Sequence, residues 1–194
     1  MAVATVFRME TDLLERRAGA DADVVDDVTM LERLASTEPG LFSMMVLEGI
    51  DPTKLDFAAR LDYAKAWDRQ LRSSTAGAQN ALAGVLIADL PDDDDVVGLE
   101  MNRRADMAAV TMQWPPVTGF GRLDQARRLV TEPPGTFALL SAGEISFRHA
   151  QLIADATTGL EPADVLLVEA RVLEKSIGQT PAEYGRSARR TERL

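Results

Sequence analysis

Cysteine is absent from all 194 residues, which removes disulfides, thiolate metal ligands and cysteine nucleophiles together. Histidine occurs once, at position 149, and one imidazole does not make a metal site. Aromatic residues are only 5% of the chain, a composition that disfavours sheets. Long hydrophobic runs are missing as well. The opening "MAVATVFRMETDLLERR" is broken early by Arg8 and Glu10, so neither a secretory signal nor a membrane span is expected. No glycine-rich phosphate loop or serine elbow occurs. A cytoplasmic protein without membrane contact is the expectation, and the lack of cysteine fits a reducing compartment.

Present instead are 46% apolar residues, enough for a sizeable core, and an abundance of alanine, leucine, arginine and glutamate, all helix formers. The net charge of −10 is unevenly placed. Residues 1–95 hold 19 acids and 9 bases, whereas residues 96–194 hold 12 of each. Nucleic-acid affinity comes mainly from neutralised phosphates, so only the second half could present a basic face. Its arginines gather in "NRRAD", "GRLDQARR" and "YGRSARRTER", a pattern shared by nucleic-acid footprints and by solvated helix faces.

Periodicity predicts an all-α fold: a helical bundle with one long helix at about 53–89 and several shorter ones. Val24, Val28, Leu31 and Ala35 lie at helical spacing, and Pro39-Gly40 breaks the chain after them. "LFSMMVLEG" reads as a short helix closed by Gly49, with Asp51-Pro52 opening the long one. Along that helix Phe57, Leu61, Ala64, Trp67, Leu71, Ser74, Ala78, Ala81, Val85 and Ala88 step by threes and fours. Such a seam packs lengthwise on another helix, and its small C-terminal half permits close approach. The seam is longer than a domain of this size needs, so it is expected to self-associate, to dock a further module, or to be covered by the N-terminal helices. "QWPP" stops the next helix, and "GFGRLDQARRLV" begins another. Residues of about 100–130 thus have the outline of a helix-turn-helix, which two antiparallel helices of a bundle share. Thr180, Pro181 and Glu183 form a capping box near the C-terminus.

Two features suggest chemistry and are read otherwise. The four aspartates of "LPDDDDVV" lack the alternation and glycine of a calcium loop and are expected to cap the following helix. In "SAGEISFRHAQLIADAT", Ser146 is a good N-cap, and Ile145 can staple to Ala150. His149 has no nucleophile or metal-ligand set around it in sequence, and its nearest acid, Glu144, lies across the Gly143 break. It is read as a hydrogen-bonded structural residue. No enzyme and no cofactor is expected.

The stretch from Ala126 to Arg190 resembles the 13E12 repeat family of actinobacteria, the domain of unknown function 222. Its Gly-Glu-Ile-Ser and His-Ala pattern is matched by Gly143, Glu144, Ile145, Ser146, His149 and Ala150, its upstream helix by Ala126, Arg127 and Leu129, and its downstream helix start by Thr180 and Pro181. "LDYAKAWDRQL" is similar to its long N-terminal helix. Glu132-Pro133-Pro134-Gly135 departs from the family's leucine and single proline. The resemblance implies a helical domain over 51–194 behind an N-terminal helical extension over 1–50. It further implies association with an HNH nuclease module, whose histidines and cysteines are not in this chain. Two roles follow as expectations. One is a noncatalytic DNA-targeting region that binds weakly through Arg122, Arg127, Arg128, Arg186, Arg189 and Arg190. The other is an interaction or dimerisation scaffold, or a truncated mobile-element relic, whose partner is itself or the missing nuclease module.

Overall fold

Asp56 sets the start of the longest helix. Its carboxylate accepts a hydrogen bond from the Ala59 amide at 2.8 Å, satisfying one of the donors that every helix N-terminus leaves open. In the computed structural model, which describes residues 27–91 and 93–176, this helix is the third of eight. The chain runs through α1 (Asp27–Ser36), α2 (Leu41–Gly49), α3 (Phe57–Ile87), α4 (Asp94–Thr111), a 3-10 turn at Pro116–Thr118, α5 (Gly119–Thr131), α6 (Pro134–Ser141), α7 (Phe147–Ala156) and α8 (Pro162–Ser176). There is no strand among the described residues, and the fold is an all-α bundle as its composition predicts. The capping box at Thr180 lies outside the described residues.

The long helix begins later than Asp51-Pro52 suggests. Asp51 instead accepts from both the amide and the hydroxyl of Thr53, at 3.0 and 2.7 Å, which closes a local turn. Leu55 is buried from that turn, and Asp56 supplies the cap. The 31 residues of α3 extend about 46 Å at the usual helical rise.

Three packed clusters sit along α3. Near its start Leu31, Leu34, Leu47, Ile50 and Leu55 enclose Ala59, with Tyr63 and Trp67 at the edge. In the middle Ala76 meets Leu129, Leu140, Ile145, Ala150 and Ala154. Toward the end Leu86 meets Ala105, Ala108 and Leu123, with Trp114 alongside. Each fully buried leucine here contributes about 1.5–3 kcal/mol. A fourth group, Ile153 with Val172, attaches α8 to α7.

Helix α5 lies at the centre, against α3 on one side and α4, α6 and α7 on others. Leu123, Ala126 and Leu129 are fully buried, and no residue from 123 to 130 is exposed. Its start is pressed close to α4: a Cβ at Gly119 would lie 2.6 Å from the Ala105 carbonyl oxygen. Only glycine fits there without displacing backbone.

The buried face of α3 is not the predicted seam. Ala59, Gln70, Ala76, Ala83 and Leu86 face inward. Phe57 is 76% exposed, Leu61 57%, Leu71 66% and Val85 41%. The buried face carries small and polar residues, Gln70 among them, so the apolar spacing of the sequence points to the other face. The alanine-rich face won because α5 packs closely only where side chains are short. In α1, likewise, Leu31 and Leu34 are buried while Val28 and Ala35 are exposed.

Candidate functional site

The start of α7 places His149 beside the residue that caps its helix. Ser146 caps the helix, its hydroxyl accepting from the His149 amide at 3.3 Å. The same oxygen lies 2.9 Å from the His149 Nδ1, so hydroxyl and ring are mutually positioned at a buried helix terminus. Glu144 is directed elsewhere, to the Nη2 of Arg69 at 3.2 Å. Ile145 and Ala150 share the middle cluster, as a staple requires. Among the described residues no group of three or more His, Asp or Glu side chains is placed to hold a metal ion.

This corner is fastened to α3 by two arginines that sequence reasoning passed over. Arg69 donates from Nε to the Ala142 carbonyl at 3.1 Å, and from Nη1 to the carbonyls of Leu34, Ala35 and Thr37 at 3.3, 3.2 and 2.7 Å. One guanidinium thereby satisfies orphan carbonyls at the ends of both α1 and α6, which its planar fork suits. Arg72 reaches the Gly143 and Glu144 carbonyls at 3.4 and 3.3 Å and pairs with Asp68. Gly143 has φ +74, and a Cβ there would fall 2.5 Å from the Arg69 Cγ and 2.6 Å from the Arg69 carbonyl oxygen. Ala142, Gly143 and Glu144 therefore build the seat of the α6–α7 corner on α3. The available signal was the left-handed glycine followed by an acid. In sequence Arg69 and Arg72 look like an ordinary solvated face.

Gln70, buried beside Arg69, donates to the Gly40 carbonyl at 2.7 Å and ties α2 to α3. A cleft of about 430 Å³ opens between α1, α2 and α3, with Leu31, Leu34 and Leu47 in its floor and Lys65 and Asp62 among the polar groups around it.

Of the arginines expected to contact DNA, Arg122, Arg127 and Arg128 lie among the described residues. Asp124 accepts an ion pair from Arg127 at 3.0 Å and from Arg128 at 3.1 Å. Arg127 further meets Glu132 at 3.4 Å, and Arg128 donates to the Thr158 hydroxyl at 2.7 Å. Both are half-buried. Arg122 is exposed, its guanidinium 4.8 Å from the centre of the Trp114 ring, a cation–π stack at the α4–α5 corner. Arg186, Arg189 and Arg190 lie outside the described residues. The helix-turn-helix outline over 100–130 is filled by α4, the 3-10 turn and α5. A recognition helix needs a free face for the major groove, and the middle of α5 has no exposed residue.

A second carboxylate fork closes the far end of α3. Glu100 accepts from Arg103 Nε and Nη2 at 2.7 Å each and from Arg104 Nε at 2.8 Å. Arg104 in turn donates to the carbonyls of Val85, Ala88 and Asp89, capping the C-terminus of α3. The hydrogen bonds from Arg103 and then Arg104 lower the Glu100 pKa from 4.5 to about 2. Because the folded value is the lower one, the stability it brings is present above pH 4.5 and is lost as pH falls from 4.5 toward 2. A carboxyl-detected NMR titration should show Glu100 with a midpoint near 2. A midpoint at the ordinary glutamate value would show that the fork does not persist in solution.

Part of the outer surface is apolar. The predicted seam of α3 faces outward. At the α4–α5 corner Met107, Val110, Met112, Val117 and Phe120 are all exposed. Groups of this kind are the usual mark of a docking surface. No described helix is long and apolar enough to cross a membrane.

Among the described residues the fold is an all-helical bundle in which Arg69, Arg72, Arg104, Arg127 and Arg128 bond to the chain's own helices and an apolar stripe of α3 is turned outward. Comparison of the chain with known protein families, with curated proteins and with solved structures finds no match in any of the three.

Proposed function

We propose that the chain is a noncatalytic helical interaction module that recognises another protein surface through the outward face of α3. The single observation that carries this reading is the exposure of Phe57, Leu61, Leu71 and Val85 along one stripe of a helix whose opposite face already holds the core. Exposed leucine and phenylalanine in a continuous stripe favour association, because burying each large apolar side chain contributes about 1.5–3 kcal/mol. The resemblance to the 13E12 repeat family supports a noncatalytic module: Gly143 and Glu144, two of the residues matching its pattern, seat the α6–α7 corner on α3.

A DNA-accessory role, the other implication of that resemblance, draws on Arg122, which is exposed, and on Arg186, Arg189 and Arg190. Arg127 and Arg128 would have to leave Asp124 to join them. Photo-crosslinking residues placed singly at Leu71, Val110 and Arg122 in living cells separate the readings. Protein adducts at position 71, and none at the exposed polar control Arg33, are the expected result. Adducts to DNA at position 122 with none at position 71 would replace the interaction module with the DNA-accessory role.

A further inference from the structure

The outward stripe of α3 changes character halfway along. From 57 to 71 it carries the bulky Phe57, Leu61 and Leu71, with Trp67 half-buried between them. From Ser74 onward it carries Ala78, Ala81, Val85 and Ala88, all exposed. Charge follows the same division. Residues 57–72 hold Arg60, Asp62, Lys65, Asp68, Arg69 and Arg72, whereas "SSTAGAQNALAGVLIA", residues 73–88, holds no charged residue at all. Immediately beyond it, Asp89 precedes the aspartates at 92–95.

We propose that the occupant of this stripe is a second copy of the chain, with the two α3 helices packed antiparallel about a two-fold axis near Ser74. The proposal rests on the interaction-module reading and names its partner. An isologous contact requires a surface that complements itself, and this stripe does so only when reversed. About a point between Ser74 and Thr75, Leu71 meets the partner's Ala78, Ala64 the partner's Val85 and Leu61 the partner's Ala88. Large side chains thus meet small ones along the whole length, as knobs-into-holes packing requires. The steps of three and four, near 3.5 residues per turn, suit the left-handed supercoil of two long helices.

Electrostatics selects the same direction. A parallel pair would set the aspartate-rich end of α3 against its own copy, and like charges at close range oppose association. In the antiparallel pair the two acidic ends are about 45 Å apart, far beyond the Debye length of about 8 Å at physiological salt. Asp89 of one copy then approaches Arg60 of the other. Arg60 donates to the carbonyls of Pro52 and Thr53, so no acidic side chain among its hydrogen-bond partners neutralises it.

The absence of cysteine makes a direct test simple. Two full-length variants of different mass, Leu61→Cys and Ala88→Cys, are mixed and oxidised under mild conditions. Each new thiol replaces an exposed side chain, so the fold is retained. The expected product is the mixed disulfide, formed in excess over either self-disulfide. Sedimentation equilibrium of the unmodified chain should show a concentration-dependent dimer. Leu71→Lys should raise its dissociation constant roughly tenfold or more while leaving the melting temperature of the diluted monomer unchanged. Self-disulfides in place of the mixed product would overturn the antiparallel arrangement. A monomer at every concentration would overturn the second copy as partner. If adducts to a different protein still formed at position 71 in cells, the interaction module would stand without self-pairing.

Discussion

Gly143→Ala is expected to lower the melting temperature by roughly 8–16 °C, corresponding to about 4 kcal/mol in a chain of this size. Two costs act together. At φ +74 an alanine sits in the left-handed region, which costs about 1–2 kcal/mol. Its Cβ must also displace the Arg69 backbone oxygen and Cγ from 2.6 and 2.5 Å, and such overpacking typically costs about 1–3 kcal/mol. Gly159 supplies the control. It has φ +78 with no atom within 4 Å of an added Cβ, so Gly159→Ala bears the conformational cost alone, about 1–2 kcal/mol. Thermal denaturation of the two variants isolates the close approach. Equal losses would mean that the α6–α7 corner does not need to sit this tightly on α3.

Arg69→Ala is expected to cost about 3 kcal/mol, or roughly 6–12 °C. The loss exceeds that of an exposed ion pair because most of what Arg69 satisfies is backbone: the carbonyls of Leu34, Ala35, Thr37 and Ala142. Its pairing with the exposed Glu144 is the smaller part. Arg69→Lys should recover little, because an ammonium on a flexible stem cannot bond two helix ends and the Glu144 carboxylate together. Hydrogen exchange adds a local readout. Amides of α1 should lose protection before those of α5, since Arg69 ties α1 to α3. A lysine variant as stable as the natural chain would show that charge at position 69, not the forked geometry, is what matters.

These two positions also show where sequence reading stops. The helical class, the stops at Pro39-Gly40 and at Trp114-Pro115-Pro116, the cap at Ser146 and the glycine at Gly143 are local signals. Each depends on a few neighbouring residues, and the helix ends follow from them with small shifts. The place of His149 beside the Ser146 cap was legible for the same reason, since that hydroxyl is three residues away. The partners of Arg69 were not, because they lie 32 to 75 residues distant. The inward turn of Arg127 and Arg128 was hidden too. Their acid, Asp124, is close in sequence, but only the burial of α5 removes the free face that a basic cluster suggests.

By itself the sequence determined an all-α protein with one dominant helix, no cysteine chemistry and a first half far more acidic than the second. Those properties follow from composition and from periodicities of three and four residues, which act along the chain. Tertiary structure alone decided which face of α3 became core. The stripe through Ala76, Ala83 and Leu86 lies against Leu129 and Leu123 of α5, and this close packing outweighs the burial that Phe57, Leu61 and Leu71 would give. That choice leaves the bulky stripe outside, where a second surface can reach it.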